Sequence, residues 1–423
     1  MSNQAIQTQA SCRDDYDPES LSVAAALQRI DNEIVPVPGR EQVALRAALG
    51  RILAETVYSP IDVPAHTNSA MDGYALRSED LPTEGVARFC LLAGSSFAGR
   101  PFPGVVGPGE CVRIMTGAVM PEGADTVVMQ EHAEVQGQWL RIGGGYRPGE
   151  NVRAAGEDLR RGQAVLSSGT RLQPAALGVL ASLGVAEVSV RRRPRVAFFS
   201  TGDELRSIGE SLGPGDIYDS NRYTLYGMLQ RLGLEAIDMG VVRDRREELQ
   251  AAFREAGEQA DALITSGGVS VGEADFVKET LGTLGRVSFW KIAMKPGRPL
   301  AFGRIGESLF FGLPGNPVSV MVTFYQFVQP ALRRLMGERD PTPVLVPARL
   351  TERLRKRRGR TELQRGVLSR DESGALCVRS TGEQGSGILS SVSRANCFIV
   401  LPEESTGGEP GATVQVQPFD GLV

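Results

Sequence analysis

Between Asp261 and Ser319 the sequence gathers three different means of holding an anion. Asp261-Ala-Leu-Ile-Thr-Ser-Gly-Gly-Val-Ser-Val-Gly-Glu-Ala-Asp275 is a glycine-rich loop behind an apolar run. Trp290-Lys-Ile-Ala-Met-Lys-Pro-Gly-Arg-Pro299 carries two lysines, and Gly312-Leu-Pro-Gly-Asn-Pro-Val-Ser319 reads as the start of a helix. Glycine lets backbone amides approach a ligand, and a helix start offers free amides at its positive end. The expected ligand contacts are therefore Ser266, Gly267, Gly268, Val269, Ser270 and Gly272 in the first segment. Pro296, Gly297 and Arg298 follow in the second, and Pro314, Gly315, Asn316 and Pro317 in the third. Asn316 suits an N-cap and Pro317 the first helical position. Ser200-Thr201-Gly202-Asp203-Glu204 forms a further loop after an apolar run. Lys291 and Lys295 stand four residues apart. On a strand over 289–294 they would point the same way, as a phosphate clamp.

Carboxylates lie among these anion-binding segments: Asp203, Glu204, Asp244, Glu273 and Asp275. An anion site tolerates them only with a cation, and Mg²⁺ takes one or two carboxylates together with ligand oxygens. All five, Glu204, Asp244 and Asp275 included, are candidate metal ligands. Imidazole and thiolate donors are nearly excluded. The only histidines are His66 and His132, and the five cysteines (Cys12, Cys90, Cys111, Cys377, Cys397) stand alone. Such a scattered set fits neither a disulfide framework nor a zinc site, and points to a reducing cytoplasm. A single glycine pair after a strand is ordinarily a tight turn, and a single lysine a solvated charge. Three such loops on one edge are harder to dismiss.

The elements that must position these residues alternate. Strands are expected at 196–200, 234–242, 262–266 and 309–311, with helices at 223–232, 247–256 and 317–336. That order predicts a doubly wound parallel sheet, whose ligands bind beyond the strands' carboxyl ends. Residues 191–340 form this central domain, and the arginine-rich 191–195 segment reads as a linker. From 61 to 158 short apolar runs at 88–93, 111–115, 126–130 and 139–142 alternate with glycine turns, an inserted all-β domain. Residues 21–60 and 159–190 are expected to pack together as one discontinuous domain, with helices after Ser22, at 43–49 and at 174–183. Residues 341–423 carry strands at 344–350, 376–379, 397–401 and 413–416, a small β-barrel or sandwich. The basic run 353–360 reads as a solvated edge, with a small anion-binding rim as the weaker alternative. Residues 1–20 are polar, terminal and expected to be disordered.

With 423 residues and a net charge of −4, the chain has room for several domains and no electrostatic footprint for nucleic acid. The stretch from Met1 to Ser20 is polar and acidic, unlike a signal peptide, and no apolar run approaches the ~18 residues of a membrane span.

Further motifs complete a pattern. Asn68-Ser-Ala-Met-Asp-Gly-Tyr-Ala75, Ile114-Met-Thr-Gly-Ala118, Gly123-Ala-Asp-Thr-Val-Val-Met-Gln-Glu131 and Asn151-Val-Arg-Ala-Ala-Gly-Glu-Asp158 precede the segments above. Together, in order from about residue 21 to the C-terminus, they resemble the molybdopterin molybdenumtransferases, the MoeA and gephyrin E-domain family. The Gly-Gly-Val-Ser-Val-Gly-Glu-Ala-Asp motif is highly specific. The resemblance implies four domains with a C-terminal barrel, and an elongated homodimer. It also implies an enzyme that takes adenylylated molybdopterin and molybdate, inserts molybdenum into the dithiolene and releases AMP with Mg²⁺. The adenylyltransferase that makes the substrate is an implied partner. It implies functional roles for Asp72, Thr116, Arg153, Asp158, Glu204, Asp244, Asp275, Lys291, Lys295, Pro314, Pro317 and Ser386. Departures are mild: His66-Thr67 stands where an aromatic residue is common, and Arg298 replaces a frequent lysine. Two rivals remain. An adenylyltransferase would resemble the central domain alone, and a non-catalytic scaffold should have lost some of the acids and lysines, none of which is lost.

Overall fold

The computed structural model describes residues 19–268 and 275–419, with backbone only for 275–279. Its centre is a six-stranded sheet in the order Glu235–Val242, Arg195–Thr201, Ala262–Ser266, Ser308–Leu313, Pro299–Ile305, Gly285–Lys291. The first four strands are parallel to one another. Pro299–Ile305 is antiparallel to both of its neighbours, so a short antiparallel ribbon edges the parallel core. Strand alternation feeds both faces. Val196, Phe198, Ile264 and Phe311 point into a core with Leu225 and Leu229 of helix Ser220–Leu232. Ala197, Phe199, Leu263 and Phe310 point into another with Leu249 and Phe253 of helix Arg246–Gln259. Phe253 stacks edge-on between Phe199 and Phe310, at centroid distances of 5.4 and 5.8 Å. Burying such a ring stabilises the fold by about 1.5–3 kcal/mol.

Two expectations for the N-terminal part are corrected. Ser22 does cap the helix Val23–Asn32, its Oγ accepting from the Ala25 amide at 3.1 Å. That helix, however, buries Ala26 and Ile30 in the central domain's core beside Leu332 and Leu335, not against 159–190. Its partner could not be read from its own apolar stripe. Residues 43–49 are not a helix: Arg40–Ala44 is a strand antiparallel to Glu187–Arg191, and only the turn Leu45–Ala47 is helical. A seven-residue run is too short to hold a helix alone, and pairing with a distant strand prevails. Ala48, Leu53, Leu172, Leu180, Val188 and Val190 then make a core shared by the two sequence halves. Val57–Tyr58 pairs with Ala164–Leu166, and Val63 bridges Leu159. The chain thus leaves and returns side by side around an insertion.

The insertion is a six-stranded sheet in the order Thr126–Met129, Gly73–Leu76, Glu110–Ile114, Val86–Ser96, Trp139–Gly143, Ala133–Gln136. The C-terminal module is a closed barrel of Thr361–Arg370, Leu376–Ser380, Val346–Leu350, Thr413–Pro418 and Cys397–Leu401, which returns to Thr361–Arg370. That closing strand escaped sequence reading because Glu362, Gln364 and Arg365, all buried, break any apolar alternation. The expected long helix runs as Pro317–Thr323 and Gln329–Leu335, joined by a π turn at Phe324–Val328. Pro330, lacking an N–H, follows that turn. Among the described residues no helix is long and apolar enough to cross a membrane.

The arginine-rich linker is anchored. Arg192 donates to both carboxylate oxygens of Asp261, at 2.8 and 2.6 Å, and the Arg195 amide donates to Asp261 at 2.7 Å. Burial alone would raise the Asp261 carboxyl, but these donors outweigh it and hold the group below its usual range. A depressed carboxyl stabilises the fold above its unfolded pKa near ~3.9 and loses that contribution as pH falls further. Asp261→Asn is therefore expected to cost about 1–3 kcal/mol at pH 7. The gap from wild type should narrow below about pH 4. Denaturant unfolding at pH 7 and pH 3 checks this, and a gap of the same size at both would refute it.

Candidate functional site

The three strand-end loops meet. Gly267 has φ +94°, and a Cβ there would lie 2.5 Å from the Thr201 carbonyl oxygen, so the first and second loops touch backbone to backbone. The Gly267 Cα in turn lies 4.0 Å from where a Cβ of Gly315 would sit. The Gly267 amide donates to the Leu313 carbonyl at 3.1 Å. Ser200, Thr201, Ser266 and Pro314 are buried, Gly202, Gly268 and Pro317 half-buried, and Gly315 and Asn316 exposed at the rim. Val269, Ser270, Gly272 and Glu273 lie outside the described residues.

Two residues that sequence reading missed hold these loops from beneath. Asp219, 3% exposed, caps helix Ser220–Leu232 by accepting from the Arg222 amide at 3.1 Å. It also accepts from the Ser200 hydroxyl at 3.0 Å. The Asn221 amide nitrogen donates to Ser266 Oγ at 2.8 Å and to the Gly315 carbonyl at 2.7 Å. The Asp-Ser-Asn start of that helix was the available signal, since Asp is a strong N-cap.

Asn316 departs from its expected role. It occupies the N-cap position of Pro317–Thr323, but its side chain makes no capping bond. Its amide nitrogen instead donates to Ser386 Oγ at 3.1 Å, and the Val318 amide donates to the Ser386 carbonyl at 3.1 Å. The helix start thereby brings Ser386, far away in sequence, to the same rim.

The lysine pair also needs correction. Residues 289–294 are not one strand: Gly285–Lys291 ends at the first lysine, and Met294–Lys295 pairs in parallel with Thr361 and Glu362 of the barrel. Ile292, Ala293 and Met294 are all buried, a run that one-sided alternation cannot supply. The lysines thus belong to two sheets flanking a bend, and their common direction does not follow from strand geometry. Lys291 is exposed, Lys295, Pro296 and Arg298 half-buried, and Gly297 buried. At Gly297, φ is +98° and a Cβ would lie 2.6 Å from Thr323 Oγ1, which fixes the bend against the helix.

On the opposite flank, burial and then the charges of Asp203 and Glu204 push the Asp244 carboxyl above its ordinary range. The Glu204 carboxylate folds back over Gly202, where a Cβ would stand 2.5 Å from it. The three acids share one negative field. Even so, no group of three His, Cys, Asp or Glu among the described residues is close enough to enclose a metal ion. The two findings are compatible, because field effects reach beyond ligand distance. Asp275 begins the helix Asp275–Leu284.

A second group forms in the insertion. The Thr116 amide and hydroxyl both donate to one Asp72 oxygen, each at 2.7 Å, and the amide above all holds the Asp72 carboxyl below its ordinary range. Asn68–Ser69 pairs with Val152–Arg153, setting Asn68 opposite Arg153. Asn151 takes the left-handed conformation at φ 58°, with its side chain donating to the Val127 carbonyl at 2.9 Å, and its own carbonyl accepts from the Ala70 amide at 2.8 Å. The Asp158 amide donates to the Val63 carbonyl at 3.0 Å, closing the same end of the module. Thr116, Arg153 and Asp158 are exposed and Asp72 half-buried. All the bonds named here stay within one group or the other.

Across its length the chain is 46% identical, over 394 residues, to a molybdopterin molybdenumtransferase of Haemophilus influenzae, covering 92% of this chain and 97% of that one. The chain belongs to the molybdopterin molybdenumtransferase family. Three family descriptions match in succession: the MoeA N-terminal region (domain I and II) over 21–184, a probable molybdopterin binding domain over 197–334, and the MoeA C-terminal region (domain IV) over 347–419. A gephyrin of Dictyostelium discoideum is 35% identical over 91% of this chain and 59% of its own length. The molybdopterin biosynthesis moeA protein of Pyrococcus horikoshii OT3 superposes with a TM-score of 0.82 at 29% identity, over 95% of this chain and all of that one. The family's four-part architecture is the one described above, with the inserted β sheet, central α/β domain and closed barrel.

Proposed function

We propose that this molybdenum cofactor biosynthesis enzyme inserts molybdenum from molybdate into adenylylated molybdopterin and releases AMP, assisted by Mg²⁺. The convergence of the Thr201, Gly267 and Gly315 loops under the Asn316–Ser386 bond carries this reading. It makes a backbone-lined anion cradle at the sheet edge where ligands of such folds bind. Lys291, Lys295 and Arg298 supply positive charge for phosphate or oxyanion oxygens. Burial pushes the Cys111 and Cys397 thiols up to about 12, which suits these two to packing rather than to ligation. The pterin brings its own sulfurs, so the protein's task is to bind, orient and exclude water.

The acids fit Mg²⁺ on chemical grounds. Glu204 and Asp244 offer hard oxygens in one field, the donor type that suits a cation sharing its coordination with phosphate oxygens and water. When bound, the ion would offset charge on the phosphates. The reading further places the chain in the cytoplasm as a homodimer, with the adenylyltransferase that makes its substrate as partner.

The deciding assay is AMP release from adenylylated molybdopterin with and without molybdate. Molybdate-dependent release supports the reading, whereas ATP consumption with formation of the adenylylated pterin would replace it. Chelation should abolish release and added Mg²⁺ restore it. Full turnover in excess chelator would contradict the metal assignment.

A further inference from the structure

We infer that Asn221 is a positioning residue that sets the separation of the second and third ligand loops, and so the fit of the pterin phosphate in the cradle. This rests on the function proposed above, but concerns a residue outside the anion-binding motifs.

The geometry makes the amide's orientation unambiguous. Gly315 presents a carbonyl oxygen, which only accepts, so the side-chain atom 2.7 Å from it must be the Asn221 nitrogen. Its second proton goes to Ser266 Oγ at 2.8 Å, and Ser266 in turn faces the Pro314 carbonyl at 3.5 Å. One amide thus spans the end of strand Ala262–Ser266 and the loop that follows strand Ser308–Leu313. Asn221 is only 9% exposed, and among the described residues its carbonyl oxygen finds no hydrogen-bond partner. Burying an unsatisfied acceptor is costly, so an apolar or smaller side chain would be favoured here if packing were the only requirement. The neighbouring Asp219 repeats the arrangement toward the first loop through Ser200, so the start of one helix fixes all three loops from below.

Gly267 and Gly315 have no side chains, and the backbone bond from the Gly267 amide to the Leu313 carbonyl joins their loops at one point. The Asn221 fork adds a side-chain tie beyond it. A buried amide with two donors in a fixed fork holds two acceptors at a set distance, which a hydroxyl or a methyl group cannot do. Misplacement of a ligand by about 1 Å is enough to lose some 10²-fold in rate.

The test compares Asn221→Ala and Asn221→Asp with the wild-type chain, measuring AMP release across substrate concentrations together with thermal melting. Asn221→Asp keeps the shape but sets a carboxylate oxygen against the Gly315 carbonyl. The expected result is a KM for adenylylated molybdopterin raised about tenfold or more in both variants. A double-mutant cycle with Ser266→Ala should be non-additive, since both act through one bond. A purely structural role would lower the melting temperature and leave the KM of the folded fraction unchanged, and that outcome overturns the inference. If Asn221→Ala does not fold, Asn221→Asp decides by the same KM criterion. A wild-type chain that fails to turn over would indict the proposed function, whereas variants equal to an active wild type would indict only the clamp.

Discussion

Lys295→Ala is expected to lower kcat/KM for adenylylated molybdopterin by about 10²–10³-fold, the usual loss when a charge-stabilising donor leaves a reaction centre. Unfolding free energy should stay within about 0.5 kcal/mol of wild type. The reason for this split is structural. Met294 and Lys295 join the barrel through their backbones, and Met294, fully buried, supplies the packing. The Lys295 side chain is only half-buried beside the bend of Pro296 and Gly297. Its removal deletes a cation, not a piece of core. Lys295→Arg should recover part of the activity, because charge is kept while the shape of the donor changes. Wild-type kinetics in Lys295→Ala would remove this lysine from the site.

A second large effect is expected from mixing inactive subunits. Asp72, Thr116, Arg153 and Asp158 lie in the insertion, whereas Glu204, Lys291 and Lys295 belong to the central domain. The insertion is joined through the Val57–Tyr58 and Ala164–Leu166 pair and the discontinuous domain beyond it. In a two-fold dimer each insertion could complete the site of its partner, giving two identical composite sites. Asp72→Ala and Glu204→Ala homodimers should then both be inactive. In an equal mixture, half the dimers are hybrids and one of the two sites in each is intact, so roughly a quarter of wild-type activity returns. Mixed dimers that stay inactive, although subunit exchange is demonstrated, would place each site within a single chain.

The alternation of strands and helices between 195 and 335 was legible in the sequence, because apolar runs of strand length separated by amphipathic segments leave few arrangements other than a doubly wound sheet. Ala262–Ser266 and Cys397–Leu401 appear in the structure with the expected bounds. The glycine loops were legible too, since only glycine accepts the positive φ of Gly267 or the approach of Thr201 to it. Other features were decided by contacts between residues far apart. Whether residues 43–49 coil or pair depends on Glu187–Arg191, and the partner of helix Val23–Asn32 depends on where the chain after 317 comes to lie. Strand Thr361–Arg370 is polar in sequence, yet it is central because Arg365 finds Ser391 and the carbonyls of Glu383 and Gly385 inside the barrel. Ser386 reaches the site through Asn316, and Asn221 governs loops 45 and 94 residues away. Local pattern carries periodicity and backbone tolerance, which belong to each segment alone. Hydrogen-bond partners and shared cores are properties of pairs, and only the folded chain chooses the pairs.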